Sequence, residues 1–208
     1  MNQAVVIGYS GHAYVVIDIL TSMGYTVTGY YDREEKARNP YLLKYQGKET
    51  APSIGKQLKK LAYFISIGDN YARKKVYELL VGSTAQPVNA IHPQSIVSHA
   101  AYIASQTGVM VAPNVVINAC CYVGVGSICN TSSTLEHECH IGDFCHIAPG
   151  ATLCGNVQVG DMSFIGANAV VKQGICIGKN VIIGAGAVVI KDVSDNTVVV
   201  GNPQRIMQ

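Results

Sequence analysis

Residues 141–190 read IGDFCHIAPGATLCGNVQVGDMSFIGANAVVKQGICIGKNVIIGAGAVVI, and every sixth residue from Ile141 onward is aliphatic. The same step of six runs back to Val111, so fourteen consecutive positions are apolar. Hydrophobic residues make up 49% of the chain, and chance alone would give such a run about once in twenty thousand trials. The fourteen positions are Val111, Ile117, Val123, Cys129, Leu135, Ile141, Ile147, Leu153, Val159, Ile165, Val171, Ile177, Ile183 and Val189.

A second period, of eighteen residues, accompanies the first. Glycine directly follows the apolar position at Gly124, Gly142, Gly160 and Gly178, and again at Gly166 and Gly184. Eighteen is three sixes, which suits a coil of three short strands and three tight corners, one of which uses the backbone freedom of glycine. A helical heptad would repeat every 3.5 residues instead. The repeat therefore predicts a triangular parallel β-helix of about four to five coils.

The cysteines fit the same repeat. There are seven, and an odd number in a cytosolic chain favours reduced thiols over disulfides. Cys121, Cys139 and Cys145 lie four residues after an apolar position, where other coils have serine or alanine. We expect them, with Cys129, to fill inner positions as small apolar side chains. No specific role is predicted for Cys120, Cys154 and Cys176.

Charge divides the chain into two parts. Eleven Lys or Arg and five acids lie between Arg33 and Glu78, whereas only six charged residues lie between Pro87 and Ile190. Such a change in composition marks a domain boundary. We expect one domain over residues 1–88 and a second over residues 89–208. The amino-terminal basic excess suits either an anionic substrate or a solvated helix surface, and the second is the commoner explanation.

Composition also excludes several classes of protein. A net charge of +2 is too small to indicate a nucleic-acid partner. No apolar run reaches membrane-spanning length, and Met1-Asn2-Gln3 lacks the charged entry of a signal peptide. The expectation is a soluble, cytoplasmic protein without a membrane partner.

The amino-terminal half has the pattern of an abbreviated nucleotide-binding fold. A short strand runs into Gly8-Tyr9-Ser10-Gly11-His12, a helical stretch follows, and a second strand ends at Asp32. Backbone N–H groups at such a helix start suit a phosphate, and an acid at the second strand end suits a sugar hydroxyl. The loop lacks the full dinucleotide motif, so a mononucleotide or nucleotide-sugar site and a plain structural turn both stay open. A third strand ends in Gly68-Asp69-Asn70.

The solenoid half carries one charged cluster. Glu136 and Glu138 flank His137 and are the only glutamates after residue 88. His140 and His146 lie nearby in the sequence. Gly155 lies eighteen residues beyond His137, so it stacks on the next coil, about 4.8 Å away. A histidine base and a glycine N–H on adjoining coils suit acyl transfer, with the N–H stabilising the oxyanion and a carboxylate orienting the imidazole. A solvated rim with ordinary histidines is the alternative.

Taken together, these features resemble a known family over essentially all 208 residues. The sequence is similar to left-handed β-helix (hexapeptide-repeat) sugar O- and N-acyltransferases of the sialic-acid O-acetyltransferase type, whose best-known relatives acetylate UDP-4-amino-sugars. The segments that carry the resemblance are Gly8-Tyr9-Ser10-Gly11-His12, Ile67-Gly68-Asp69-Asn70, Asn130-Thr131-Ser132-Ser133, Glu136-His137-Glu138, Phe144-Cys145-His146, Cys154-Gly155-Asn156-Val157 and Val200-Gly201-Asn202-Pro203.

The resemblance implies an acetyl-CoA-dependent sugar N-acetyltransferase that is a homotrimer with sites between subunits and needs no metal. It implies His137 as general base, Glu138 as its partner and Gly155 as the oxyanion donor. The implied contacts to a UDP-4-amino-sugar type of substrate are Ser10, Gly11, His12, Asp32, Gly68, Asn130 and Glu136. The implied acetyl-CoA contacts are His146, Ala167 and Ala185, the last two eighteen residues apart on one edge.

Three alternatives remain at this point. Within the acyltransferases, the alternative acceptor is a sialic acid, which would receive the acetyl group on an oxygen. Outside it, a γ-carbonic-anhydrase-like hydratase would bind zinc through three histidines, although His137, His140 and His146 are closely spaced in sequence. A non-catalytic nucleotide-sugar sensor is the third. Residues 36–50 are polar and have no counterpart in the family pattern, and we expect a variable loop there.

Overall fold

The computed structural model describes residues 2–51, 54–58, 61–80, 85 and 87–207. Met1, Lys59 and Lys60, which were counted in the sequence analysis, lie outside these residues. An α/β unit comes first, and a three-faced solenoid of parallel strands follows it, which confirms the predicted fold class. The elements of the α/β unit are β1 (Asn2–Ile7), α1 (Gly11–Ser22), β2 (Tyr25–Tyr31), β3 (Lys44–Gly47), α2 (Ile54–Gln57), β4 (Ala62–Ile65) and α3 (Asn70–Leu80).

The sheet of the α/β unit has the order β3-β2-β1-β4, and all of its neighbours are parallel. Residues 4–7 of β1 are fully buried, because strands and helices cover both sides of this central strand. The chain leaves β1 toward β2 on one side and reaches β4 on the other. The carboxyl ends of β1 and β4 thus form the switch point at which open α/β sheets bind ligands.

The solenoid strands form three faces, here named A, B and C in chain order. Face A holds β5 (Ala90–Ile91), β8 (Met110–Val111), β11 (Ile128–Cys129), β14 (His146–Ile147), β17 (Phe164–Ile165), β20 (Ile182–Ile183), β22 (Val198–Val200) and the antiparallel β23 (Arg205–Ile206). Face B holds β6 (Ile96–Val97), β9 (Val116–Ile117), β12 (Thr134–Leu135), β15 (Thr152–Leu153), β18 (Val170–Val171) and β21 (Val188–Val189). Face C holds β7 (Tyr102–Ile103), β10 (Tyr122–Val123), β13 (His140–Ile141), β16 (Gln158–Val159) and β19 (Cys176–Ile177).

The solenoid is longer than the sequence analysis predicted. Face B alone has six strands, one from each coil, so the expectation of four to five coils is wrong. The missed coil contains Ile91, Val97 and Ile103, and it leads to Val111 after eight residues instead of six. Six residues, 104–109, replace the usual four at that corner and shift the register of the repeat.

The glycine at every eighteenth residue has a different cause from the predicted one. Gly142 and Gly160 do not have a positive φ. The residue with a positive φ in each of these corners comes two positions later, at Phe144 and Met162. A Cβ on Gly160 would lie 2.7 Å from the carbonyl carbon of Gly178 on the next coil. Glycine is therefore required here because adjoining coils approach closely, not because the backbone needs its conformational freedom.

The interior of the solenoid is the predicted aliphatic stack. The fourteen positions of the repeat are at most 3% exposed. Cys121, Cys139 and Cys145 are at most 1% exposed and occupy the small inner position as predicted, where Ser127 donates a hydrogen bond to the carbonyl of Gly142 at 2.8 Å. All seven cysteines are free thiols.

Residues 36–50 are not entirely the loop that the sequence suggested. They contain β3, which pairs in parallel with β2 and forms the edge of the sheet. The strand was missed because its four residues, Lys-Tyr-Gln-Gly, are mostly polar, as suits an edge strand with one exposed side.

The α/β unit packs against face A and against the corner between faces C and A. Asn70 donates to the carbonyls of Met162 and Ser163 at 3.0 and 3.3 Å, and Tyr71 contacts Asn180. The corner between faces B and C lies on the opposite side of the prism from face A. In the part of the chain that the structure describes, no helix is long and apolar enough to cross a membrane.

Candidate active site

The loop after β1 opens toward the start of α1. Gly8 has φ +89°, and a Cβ there would lie 2.6 Å from a side-chain carbon of Ile67, so glycine is required on both counts. Ser10 precedes the helix without a side-chain capping bond, and the first turn contains no acid. A Cβ on Gly11 would meet no atom within 4 Å. The first N–H groups of α1 are thus positioned to bind an anion.

A cleft of about 740 Å³ lies along the carboxyl ends of the strands. Of the residues implied by the resemblance, Ser10, Asp32 and Gly68 line it. Four cations that sequence reasoning did not assign also line it: Arg33, Lys36, Lys48 and Lys75. The basic excess of the amino-terminal half therefore includes the wall of a cleft, and positive charge there suits a diphosphate.

Asp32 is held rigidly in the wall of this cleft. Its two carboxylate oxygens accept from the backbone N–H groups of Tyr9 and Arg33 at 2.8 and 2.7 Å, and Lys36 Nζ lies 3.0 Å away. The side chain is 13% exposed. These bonds fix the carboxylate at the second strand end, as a contact to a sugar hydroxyl requires.

Two histidines meet where the α/β unit contacts face A. Asn130 Nδ2 donates to His146 Nε2 at 3.1 Å, so His146 Nδ1 carries the proton and donates to the Gly68 carbonyl at 3.2 Å. The ring of His12 lies 6.1 Å from that of His146 between centroids. Burial, followed by the positive charge of Arg73, lowers the pKa of both imidazoles to about 4. Both rings are therefore neutral at pH 7, and His12 Nε2 is buried without a hydrogen-bond partner among the described residues.

His137 lies at the corner between faces B and C. Its Nδ1 is 3.0 Å from Glu138 Oε2, and both side chains are more than half exposed. With Nδ1–H donated to the carboxylate, the Nε2 lone pair is available to accept a proton. Glu138 has φ +62°, and this left-handed turn places its carboxylate beside the imidazole.

Gly155 lies directly beneath that imidazole on the next coil. A Cβ on Gly155 would be 2.6 Å from His137 Nε2 and 2.5 Å from Cε1, so only glycine leaves room for the ring. Among the described residues, the Gly155 N–H donates to no protein acceptor. A basic nitrogen and an uncommitted N–H thus lie side by side, which is the arrangement that general-base acyl transfer needs.

The remaining predicted residues divide between these places. Glu136 accepts a hydrogen bond from Asn118 on the preceding coil at 3.0 Å, at the corner of His137, whereas Asn130 lies with His146 on the other side of face B. Ala167 and Ala185 stack at the corner between faces A and B, where the Gly186 N–H donates to the Ala167 carbonyl at 2.8 Å. Within one chain, the residues near the cleft therefore form one group, and His137, Glu138 and Gly155 form a second group at a different place.

The three clustered histidines also separate. His140 stacks on Tyr122 on face C, with 4.5 Å between ring centroids, whereas His146 lies on face A and His137 at a corner. Within the described residues, no group of three His, Cys, Asp or Glu side chains is arranged to hold a metal ion.

Arg73 joins the two units and was not singled out by sequence reasoning. It is 1% exposed and donates to the carbonyls of Gly126 at 2.7 Å, Phe144 at 3.1 Å and Gly68 at 3.0 Å. Burial lowers its pKa to about 10, so it stays charged at pH 7. In the sequence it stands beside Lys74 and Lys75 in a polar helix, and nothing distinguishes the buried cation from the exposed ones.

Replacing Arg73 by methionine is expected to lower the free energy of unfolding by about 2–5 kcal/mol, because several buried carbonyls lose their donor. Urea unfolding followed by circular dichroism measures the change. The matched control is Lys74→Met on the same helix, whose ion pair with Glu78 is 3.8 Å long and largely exposed; it should change the stability by less than about 0.5 kcal/mol. Equal stability of the two variants would contradict the assignment.

Two family models match parts of the chain: the PglD N-terminal domain over residues 3–80 and the bacterial transferase hexapeptide (six repeats) over residues 156–191. A curated relative, the GDP-perosamine N-acetyltransferase of Escherichia coli, is 38% identical over 90 residues. That match covers 43% of this chain and 40% of the relative, so it spans less than half of either protein.

Solved structures match along the whole chain. A mutant perosamine N-acetyltransferase from Caulobacter crescentus, in complex with CoA and GDP-perosamine, is 34% identical with a TM-score of 0.93 and covers 100% of this chain and 98% of its own. The acetyltransferase domain of PglB from Neisseria gonorrhoeae, in complex with acetyl coenzyme A, is 30% identical with a TM-score of 0.91 and full coverage of both chains.

Proposed function

Because this chain belongs to the hexapeptide-repeat family of left-handed β-helix sugar acyltransferases, we propose that it transfers the acetyl group of acetyl-CoA to the amine of a nucleotide-linked amino sugar. Residues 1–88 bind the nucleotide, and residues 89–208 bind acetyl-CoA and carry out the chemistry. The observation that supports this most directly is the His137 imidazole over Gly155, with Glu138 at its other nitrogen.

The reaction follows from that geometry in one chemical sequence. The sugar amine attacks the thioester carbonyl while His137 Nε2 accepts the ammonium proton, and Glu138 stabilises the imidazolium that forms. The Gly155 N–H donates to the oxyanion of the tetrahedral intermediate. Collapse of this intermediate breaks the C–S bond, and the CoA thiolate takes the proton from His137. The products are the N-acetylated sugar and free CoA.

A GDP-linked sugar is a better proposal than the UDP-linked one expected from the sequence. The Caulobacter relative is described with GDP-perosamine, and it matches this chain over its full length. His12 and His146 contact Gly68, which lines the cleft, and Asn130 bonds to His146. The sugar would follow the diphosphate toward these residues. Acetyl-CoA would run along the corner that carries Ala167 and Ala185, with His146 at its inner end.

We propose that the protein is a homotrimer with sites shared between chains. Within one chain, the nucleotide cleft lies on the side of face A and the corner between faces C and A, whereas His137 lies at the opposite corner. The amine of a bound nucleotide-sugar therefore needs the His137 of a neighbouring chain. Flat prism faces related by cyclic symmetry pack side by side and close into a ring.

Mass spectrometry tests the proposed activity. The protein is incubated with acetyl-CoA and a panel of acceptors: GDP-, UDP- and dTDP-linked 4-amino sugars and free and activated sialic acids. One added acetyl group on the GDP-linked amino sugar is the expected result. Transfer to sialic acid alone would replace the proposal by O-acetylation, and zinc at one ion per chain in protein purified without chelator would support a metal hydratase instead.

Gly155→Ala is expected to lower kcat by about 100-fold, because the new Cβ displaces the imidazole by an ångström or more. Its thermal unfolding midpoint should stay near that of the unmodified protein, since the displaced ring is exposed and free to move. The control Gly160→Ala places its Cβ against backbone instead and should lower the midpoint. Full activity of Gly155→Ala would remove Gly155 from the site.

A further inference from the structure

Residues 36–50 are firmly attached to the nucleotide-binding unit. The Lys36 N–H donates to the Tyr30 hydroxyl at 2.8 Å, and the Tyr9 hydroxyl donates to Asn39 Oδ1 at 2.7 Å. Tyr9 and Tyr30 are themselves buried and stacked, with 4.2 Å between ring centroids. A polar segment held by two buried tyrosines has a fixed shape, and the proposed acetyl transfer does not by itself account for it.

This segment forms one end of the cleft. The cleft follows the carboxyl ends of all four strands: Gly68 after β4, the loop at Ser10 after β1, Asp32 after β2, and Lys48 and Glu49 after β3. If the diphosphate binds at the start of α1 and the ribose at Asp32, the base extends toward the end of β3. Residues 48–50 are then the walls of the base site.

Glu49 is an unusual residue for such a wall. It is 7% exposed, and its Oε2 atom is buried without a hydrogen-bond partner among the described residues. Its Oε1 atom lies 3.7 Å from Arg33 Nε, too far for a hydrogen bond, and the Arg33 side chain is 84% exposed. A buried carboxylate oxygen is costly unless water or a ligand supplies a donor, so Glu49 Oε2 is free to accept a hydrogen bond from a ligand in the cleft.

We propose that Glu49 reads the hydrogen-bonding edge of guanine and thereby makes the cleft selective for a GDP-linked substrate. Guanine presents two adjacent donors, N1–H and the N2 amino group, which match the two oxygens of one carboxylate. Uracil presents one N–H between two carbonyl oxygens, which a carboxylate repels, and adenine presents a lone pair at N1. The inference rests on the proposed nucleotide-sugar substrate and names the residue that selects it.

Calorimetric titration of the unmodified protein with four diphosphates tests the base selectivity without any substitution. GDP should bind most tightly. IDP lacks the N2 amino group and should bind about 10-fold more weakly, and UDP and ADP should bind about 100-fold more weakly. Equal binding of GDP and UDP, tighter binding of UDP, or no measurable binding of GDP would each overturn the proposal.

Glu49→Gln then tests the residue itself. The variant keeps the shape of the side chain but has one acceptor and one donor, so the affinity for GDP should fall by about 10–100-fold while that for UDP is unchanged or rises. The exposed Glu35, in Glu35→Gln, is the matched control and should bind GDP as the unmodified protein does. Thermal unfolding confirms that both variants fold. Unchanged GDP selectivity of Glu49→Gln would refute the assignment.

Acetyl transfer separates failure of this inference from failure of the proposed function. If the unmodified protein acetylates a GDP-linked amino sugar, Glu49→Gln should raise KM for it by about 10–100-fold with little change in kcat, because the guanine ring is far from the sugar amine. Transfer with an unchanged KM in the variant would refute the role of Glu49 and leave the enzyme activity intact. Selective GDP binding without transfer to any sugar would support Glu49 and refute the acetyltransferase.

Discussion

Replacing His137 by alanine is expected to lower kcat for acetyl transfer by about 10²- to 10⁴-fold, because the reaction loses the group that removes the ammonium proton. The imidazole has the geometry of a general base, since Nδ1 faces Glu138 at 3.0 Å and Nε2 lies over Gly155 on the next coil. The affinity for acetyl-CoA should be retained, because the proposed contacts to it lie at another corner. Steady-state kinetics with saturating acetyl-CoA measures kcat, and calorimetry measures the affinity.

The matched control is His140→Ala, three residues further along the same coil. His140 is exposed on face C and stacks on Tyr122, away from Gly155. We expect this variant to keep kcat within a factor of about two or three, since it touches no proposed reacting group. A His137→Ala enzyme with a near-normal kcat would show that another group, or the bulk solvent, accepts the proton.

The solenoid and the His137 set could be predicted because both depend on sequence spacing. A step of six assigns the interior, and a step of eighteen places Gly155 on the coil next to His137, as found. The first coil was missed because two extra residues in 104–109 break that step. Spacing arguments hold only while the register is unbroken, and they say nothing about segments outside the repeat.

The contacts between the two units could not be predicted in the same way. Arg73 is buried because corner carbonyls of the solenoid face α3, and no local pattern reveals that packing. The same applies to His146, a face A strand residue that donates to the carbonyl of Gly68 in the α/β unit. Glu49 follows a polar edge strand that sequence analysis interpreted as a loop. In each case a distant part of the chain supplies the environment.

Mixing two inactive variants tests whether each site is shared between chains. His137→Ala keeps an intact nucleotide cleft, and Asp32→Arg keeps an intact His137 corner but places a bulky cation in the cleft. Each protein alone should be nearly inactive. In a trimer assembled from equal amounts of both, about one quarter of the sites combine an intact cleft with an intact His137 from the neighbouring chain.

Co-expression of the two variants under different affinity tags, followed by purification through both tags, should therefore restore about a quarter of the unmodified activity or more. The mass of the assembly is measured by light scattering. The control pair, His137→Ala with Gly155→Ala, alters the same corner in both chains and should show no activity above that of Gly155→Ala.

A mixed assembly that stays inactive would mean that the nucleotide cleft and His137 of the same chain form one active site. That outcome would require the α/β unit to leave face A and reach the corner between faces B and C, at the cost of the buried bonds of Arg73 and Asn70. Restoration is the result that the observed packing favours, because it leaves those bonds intact.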